Sequence, residues 1–193
     1  RPLGRLQPLT QVTEDIVRAF RKIGFVVADG PEIEDEYHCF DSLNTPADHP
    51  ARDAQDTFYI GGDLPTGGQK SALLRTHTSS VQIRVMQSQP PPIRIIAPGR
   101  VYRRDNADAT HNPTFHQIEG LYVDKNVTVG DLKGTAEFVF RELLGRDVKI
   151  RFRPHYFSYT APNFAIDFTN ALVKNMSQDW LEIEGCGRGH QEV

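Results

Sequence analysis

Val12, Ile16, Phe20 and Ile23 recur every three or four residues along LTQVTEDIVRAFRKIGF, with polar and charged positions between them. That period predicts an amphipathic helix over 9–23. Thr10 or Thr13 is placed to cap it and Gly24 to stop it. FVVADGPEI then reads as a short strand broken by Asp29-Gly30-Pro31, and a second, shorter helix is expected over 34–43. Residues 44–52 form a loop with two prolines, and DTFYI is a strand candidate followed by the turn-rich GGDLPTGGQK. THTSSVQIRVMQS opens a further helix, with Thr78 or Ser79 near its cap.

The second half reads differently. PIRIIAPGRVYRR is rich in β-formers, with Pro98-Gly99 expected to bend it, and TFHQIEGLYVD alternates strongly. TVGDLKGTAEFVFRELLG returns to the helical period and stops at Gly145. VKIRFRPHYFSYT, NFAIDFT and WLEIEGCG are three more strands. There is no internal repeat and no low-complexity segment. A leading helix, then mostly strands with one inserted helix, predicts an α+β fold on a largely antiparallel sheet, in one domain over 1–193.

Composition narrows the class. Of 193 residues, 38% are hydrophobic, 24% charged and 9% aromatic, which suits a packed globular chain and excludes a disordered tail. No run of 18 apolar residues offers a membrane span, and RPLGRLQPLT lacks the apolar run of a signal peptide. Cys39 and Cys186 are too few for a disulfide framework and lack metal-ligand spacing, so a cytoplasmic location is expected. Net charge is −3, so any nucleic-acid contact must come from a local patch.

The densest chemistry lies in GRVYRRDNADATHNPTFHQIEG, from Gly99 to Gly120. Alternate residues of a strand share a face. Phe115, Gln117, Glu119 and Leu121 therefore point one way, as do Val101, Arg103 and Asp105 on the preceding segment. Paired as a hairpin, the two segments would present a cation, two carboxylates, an amide and an aromatic ring on one surface. The plain alternative is a solvated face of ion pairs, which leaves Phe115 and Leu121 among the charges unexplained. A ligand with an ammonium, a carboxylate and a planar ring accounts for all of them.

This segment resembles the second signature motif of class II aminoacyl-tRNA synthetases, and in detail the family of bacterial phenylalanyl-tRNA synthetase α subunits. RKIGFVVADGPEIE looks like the first class II motif, a helix and strand ending at Pro31. FDSLNTPADHPARD, LRTHTSSVQIRVM, RFRPHYFSYTAP and WLEIEGCG continue the likeness in collinear order over nearly the whole chain. The resemblance implies a class II antiparallel sheet flanked by helices. It also implies activation of phenylalanine with ATP and Mg2+, then transfer to tRNA(Phe). The implied partner is a larger β subunit, in a heterotetramer of two α and two β chains.

Carried over by motif, Arg103 bridges the amino-acid carboxylate and the ATP α-phosphate, Phe115 stacks on adenine, and Asp105 and His111 belong to the loop that reaches the phosphates. His77 and Ser79 match residues receiving the substrate's ammonium end, and Gln117 and Glu119 match residues of the amino-acid pocket. Phe157 and Tyr159 match the aromatic pair that grips the phenyl ring, Tyr159 standing where the family usually has phenylalanine. No metal-ligating residue is implied. The third class II motif, with its γ-phosphate arginine, and the N-terminal tRNA-binding arm have no counterpart. That implies a C-terminally incomplete core of low activity by itself. A non-catalytic paralogue that binds an amino acid or adenylate is the alternative. A plain RNA-binding module built on Arg84, Arg94, Arg100, Arg103 and Arg104 is disfavoured by the net charge and the neighbouring carboxylates.

Overall fold

The start of the first helix is set by Pro8. Its missing N–H costs nothing in a first turn, and its ring pre-sets the helical φ. In the structure, a computed structural model that describes residues 4–53, 56–60, 72–104, 112–156, 160–170, 179–189 and 193, helix α1 runs Pro8–Lys22 with Gln7 as its cap residue. Thr10 and Thr13, expected as caps, lie inside it, because Pro8 begins the helix earlier. Gly24 adopts φ +85°, where a side chain is strained, and closes the helix by donating from its N–H to the Arg21 carbonyl.

The chain folds as two compact units, Arg1–Val26 with Asn126–His190 and Val27–Lys125 with Gln191–Val193. In chain order the elements after α1 are β1 (Val26–Val27), β2 (Ile33–Asp35), the single turn α2 (Glu36–Cys39), β3 (Tyr59–Ile60), β4 (Ala72–Leu74) and α3 (Ser79–Ser88). They continue as β5 (Ile93–Tyr102), β6 (Thr114–Val123), α4 (Val129–Leu144), β7 (Lys149–Pro154), β8 (Thr160–Thr169) and β9 (Leu181–Gly189). Short 3-10 turns cover Asp41–Leu43 and Pro50–Arg52.

In the first unit, β7, β8 and β9 form an antiparallel sheet with β8 in the middle. Helix α4 packs on it through Phe140, whose ring stacks on Phe168 at 6.3 Å, beside Val148 and Ile166. Thr128 and Asp131 cap α4 reciprocally. Lys22 on α1 pairs with Glu142 on α4.

The second unit holds the strand pair β5–β6 and the sheet β2-β4-β3. The expected helix over 34–43 is cut short because Glu34 belongs to β2. Its fully buried carboxylate receives Arg84 Nε at 2.9 Å and Nη2 at 2.5 Å. A buried carboxylate is tolerable only when paired in this way. Strand β5 pairs antiparallel with β6, from Ile93 opposite Val123 to Tyr102 opposite Thr114. The bend expected at Pro98-Gly99 does not occur. Gly99 instead admits a close neighbour: a Cβ there would lie 2.0 Å from Arg75 Nη2. Arg75 is 2% exposed, donating to the carbonyls of Arg100 (2.8 Å), Gly30 (3.1 Å) and Pro31 (3.3 Å). Among the described residues, no helix is long and apolar enough to cross a membrane.

Candidate active site

The strand pair β5–β6 brings the sequence-predicted residues onto one face. Val101 stands opposite Phe115, Gly99 opposite Gln117 and Ala97 opposite Glu119. Residues directly opposite in an antiparallel pair share a face, so the period of two on each strand aligns the sets. Arg103, two residues beyond Val101, extends that face. Its N–H donates to the Pro113 carbonyl at 2.9 Å, and its guanidinium lies 5.0 Å from the centre of the Phe115 ring. Its Nε donates to the Thr76 carbonyl at 3.2 Å, which ties it to the turn before α3. A guanidinium over an aromatic face keeps its charge and part of its fork for a ligand.

Glu119 reaches the start of α3. Its carboxylate accepts from Thr78 N (3.2 Å), Ser79 Oγ (2.6 Å) and Gln82 Nε2 (2.7 Å). Thr78, one of the two residues expected near the cap of α3, is its cap residue but makes no side-chain cap bond. A carboxylate from β6 takes that role, accepting from the backbone N–H of Thr78 and from two side chains of the first turns, and meeting the positive end of the helix dipole. Beside it, Gln117 Oε1 is buried with no hydrogen-bond partner among the described residues. A buried acceptor left open is costly, and in a native site it points to a donor that arrives with a ligand.

His77 sits in the turn between β4 and α3. Its Nε2 lies 3.8 Å from Cys39 Sγ, and its ring meets Phe40 edge-on at 6.5 Å. Its Nδ1 is buried without a partner among the described residues. Burial pushes the imidazole toward neutrality, but the Cys39 thiolate and then Glu119 outweigh it and raise its pKa. Burial likewise pushes the Cys39 thiol up, and His77 together with hydrogen bonds from Thr76 brings it down. Cys39, Thr76 and Gln82 were missed by sequence reasoning. No local pattern marks them, because each meets the site across long stretches of chain.

Arg103, Phe115, Gln117, Glu119, His77 and Ser79 are therefore brought together in one unit. Asp105, His111, Phe157 and Tyr159 lie outside the described residues. Among the described residues, Glu34, Asp35 and His38 are close enough to share a metal ion. Both oxygens of Glu34 are taken by Arg84, however, and His38 Nδ1 is paired with Asp35 at 2.8 Å. That donor set does not fit a magnesium site, which wants free carboxylate oxygens.

One face of an antiparallel strand pair thus carries an arginine over an aromatic ring, with a carboxylate and an amide on the same strand and a helix start beside them. The sequence profile of the family described as tRNA synthetases class II core domain (F) matches residues 1–193, and the chain belongs to that family. Among its relatives, the phenylalanine–tRNA ligase alpha subunit of Caldicellulosiruptor saccharolyticus is 49% identical over 197 residues, covering 99% of this chain and 56% of that one. The phenylalanine–tRNA ligase alpha subunit of Citrifermentans bemidjiense is 51% identical over 199 residues, covering 100% and 56%. The chain thus spans little more than half the length of these relatives. The solved pyrrolysyl-tRNA synthetase PylSc of Desulfitobacterium hafniense aligns with a TM-score of 0.60 at 18% identity, over 84% of this chain and 53% of that one. It shares the fold.

Proposed function

We propose that this chain activates phenylalanine with ATP and transfers it to tRNA(Phe), as the catalytic α subunit of a phenylalanine–tRNA ligase or as a part of it. The observation that carries the reading is the open acceptor Gln117 Oε1 on the same face as the Arg103–Phe115 stack. An α-amino acid presents an ammonium beside a carboxylate, and this face offers an acceptor beside a cation. The names of the relatives support the choice of phenylalanine.

In this reading Gln117 and Glu119 receive the ammonium, and His77 and Ser79 belong to the same amino-acid subsite. Glu119 accepts from three groups and keeps capacity for a fourth donor. Arg103 contacts the carboxylate and the ATP α-phosphate, neutralising charge that develops during in-line attack. Phe115 stacks on adenine, Asp105 and His111 serve the phosphates, and Phe157 and Tyr159 wall the ring pocket. Magnesium would arrive on the nucleotide phosphates and supply charge neutralisation there.

The proposed partner is the β subunit, two copies with two of this chain, in the cytoplasm. The outer face of α1, where Leu9 is 49% and Val12 54% exposed, is open for such contacts. The alternative, a paralogue that binds an amino acid or adenylate without charging tRNA, would keep the Gln117 subsite but lack turnover. Calorimetry with phenylalanine, tyrosine and leucine tests the site. Phenylalanine should bind first, tyrosine more weakly and leucine undetectably, and Gln117→Ala should weaken phenylalanine about tenfold. Equal binding of leucine would contradict the reading.

A further inference from the structure

We propose that Cys39 is a positioning residue: it fixes the His77 ring so that Nδ1 is always an N–H donor, and His77 therefore recognises the carboxylate of the amino acid, not its ammonium. The proposal rests on the amino-acid reading of the site and deepens it. It replaces the expectation that His77 receives the ammonium.

The contact between Cys39 Sγ and His77 Nε2 at 3.8 Å limits what the ring can do. With the pair neutral, the thiol S–H donates to Nε2, so the ring proton sits on Nδ1. With the pair charged, the imidazolium donates from Nε2 to the thiolate, and Nδ1 carries the second proton. A third arrangement, Nε2–H donating to a neutral thiol, leaves Nδ1 bare but relies on sulfur as a weak acceptor. The lowered thiol and raised imidazole oppose it. Thr76 Oγ1, 3.7 Å from the sulfur, adds a hydroxyl that can donate to a thiolate.

Burial makes this constraint count. Cys39 is 0% exposed, in a cluster with Phe40 and Leu73, so no water competes for the sulfur. Nδ1 is itself buried and unpartnered among the described residues. A buried N–H without an acceptor is costly until one arrives. An ammonium is donor-only and cannot supply it, whereas a carboxylate oxygen can. Arg103 donates to the carbonyl of Thr76, the residue before His77. The cation and the Nδ1–H donor thus flank one peptide unit, and the Gln117 acceptor is left for the ammonium.

Two measurements on the protein test this, with wild type, Cys39→Val (isosteric, no donor) and Cys39→Ser (donor and acceptor restored). Calorimetry uses L-phenylalanine, 3-phenylpropanoate, which lacks the ammonium, and phenethylamine, which lacks the carboxylate. Cys39→Val should weaken the two carboxylate ligands roughly tenfold and leave phenethylamine unchanged within about twofold. Cys39→Ser should restore them. NMR of 15N-histidine-labelled protein should find His77 Nδ1 protonated in wild type and shifted when phenylalanine binds. If wild type binds phenylalanine but Nδ1 is bare, or if Cys39→Val weakens all three ligands alike or none, the proposal is overturned while the amino-acid reading stands. If wild type binds none of the three, the amino-acid reading fails and the proposal falls with it.

Discussion

Glu119 caps a helix from a neighbouring strand, and in the proposed function the same carboxylate would receive the ligand's ammonium. It closes the start of α3 through Thr78, Ser79 and Gln82 while standing on the strand that carries Gln117. Charge-assisted bonds to a helix start are stronger than neutral ones, and the helix dipole favours the anion. Glu119→Gln should therefore lower stability by about 1–2 kcal/mol, read as an earlier urea midpoint with unchanged slope. Gly99→Ala tests a different contact. The added Cβ meets the Arg75 guanidinium, which three carbonyls hold in place, so a loss of about 1–3 kcal/mol is expected. At this scale the sequence was legible wherever one strand's period of two set the outcome, as at Phe115, Gln117 and Glu119. It was silent on Cys39 and Gln82, because their contacts with His77 and Glu119 close over loops of nearly forty residues.

Elements whose signals are local were legible from the sequence. Helix α4 carries its own capping box and ends at Gly145, which takes φ +90°. Its boundaries match the expectation. Pro98-Gly99 misled, because the same dipeptide serves a turn or a close approach, and only the position of Arg75 decides between them. In the sheet β7-β8-β9 the deciding feature is an ion-pair cluster. Asp167, buried on β8, accepts from Arg151 Nε at 2.6 Å and from Arg153 Nε and Nη2 at 2.5 and 2.8 Å. Hydrogen bonds from Arg153, then Arg151, hold its pKa down at about 2. A carboxyl depressed in the folded state contributes stability that is present above its ordinary pKa, 3.8, and is lost as pH falls through 2. Melting temperature should thus drop between about pH 4 and pH 2 in wild type. Asp167→Asn should be less stable near neutrality and should lose much of that acid dependence. A variant with the wild-type acid slope would show that other carboxylates carry it.

For the whole molecule, α+β class and antiparallel pairing followed from element order and strand patterning, and collinear motifs carried the family. The two-unit organisation was not legible. Its first unit joins 1–26 to 126–190, and nothing local in sequence marks such a return. That the candidate residues Arg103, Phe115, Gln117 and Glu119 share a face was legible because the pairing of neighbouring strands is the simplest topology available. The central claim is that this face activates phenylalanine, and the reaction tests it most directly. Phenylalanine-dependent exchange of pyrophosphate into ATP, measured with this sequence placed in a full-length α subunit and assembled with the proposed β subunit, should be robust in wild type. It should fall about a hundredfold to a thousandfold in kcat with Arg103→Ala, the loss of one group that stabilises charge in the transition state. No exchange with phenylalanine, or an Arg103→Ala protein as fast as wild type, would contradict the account.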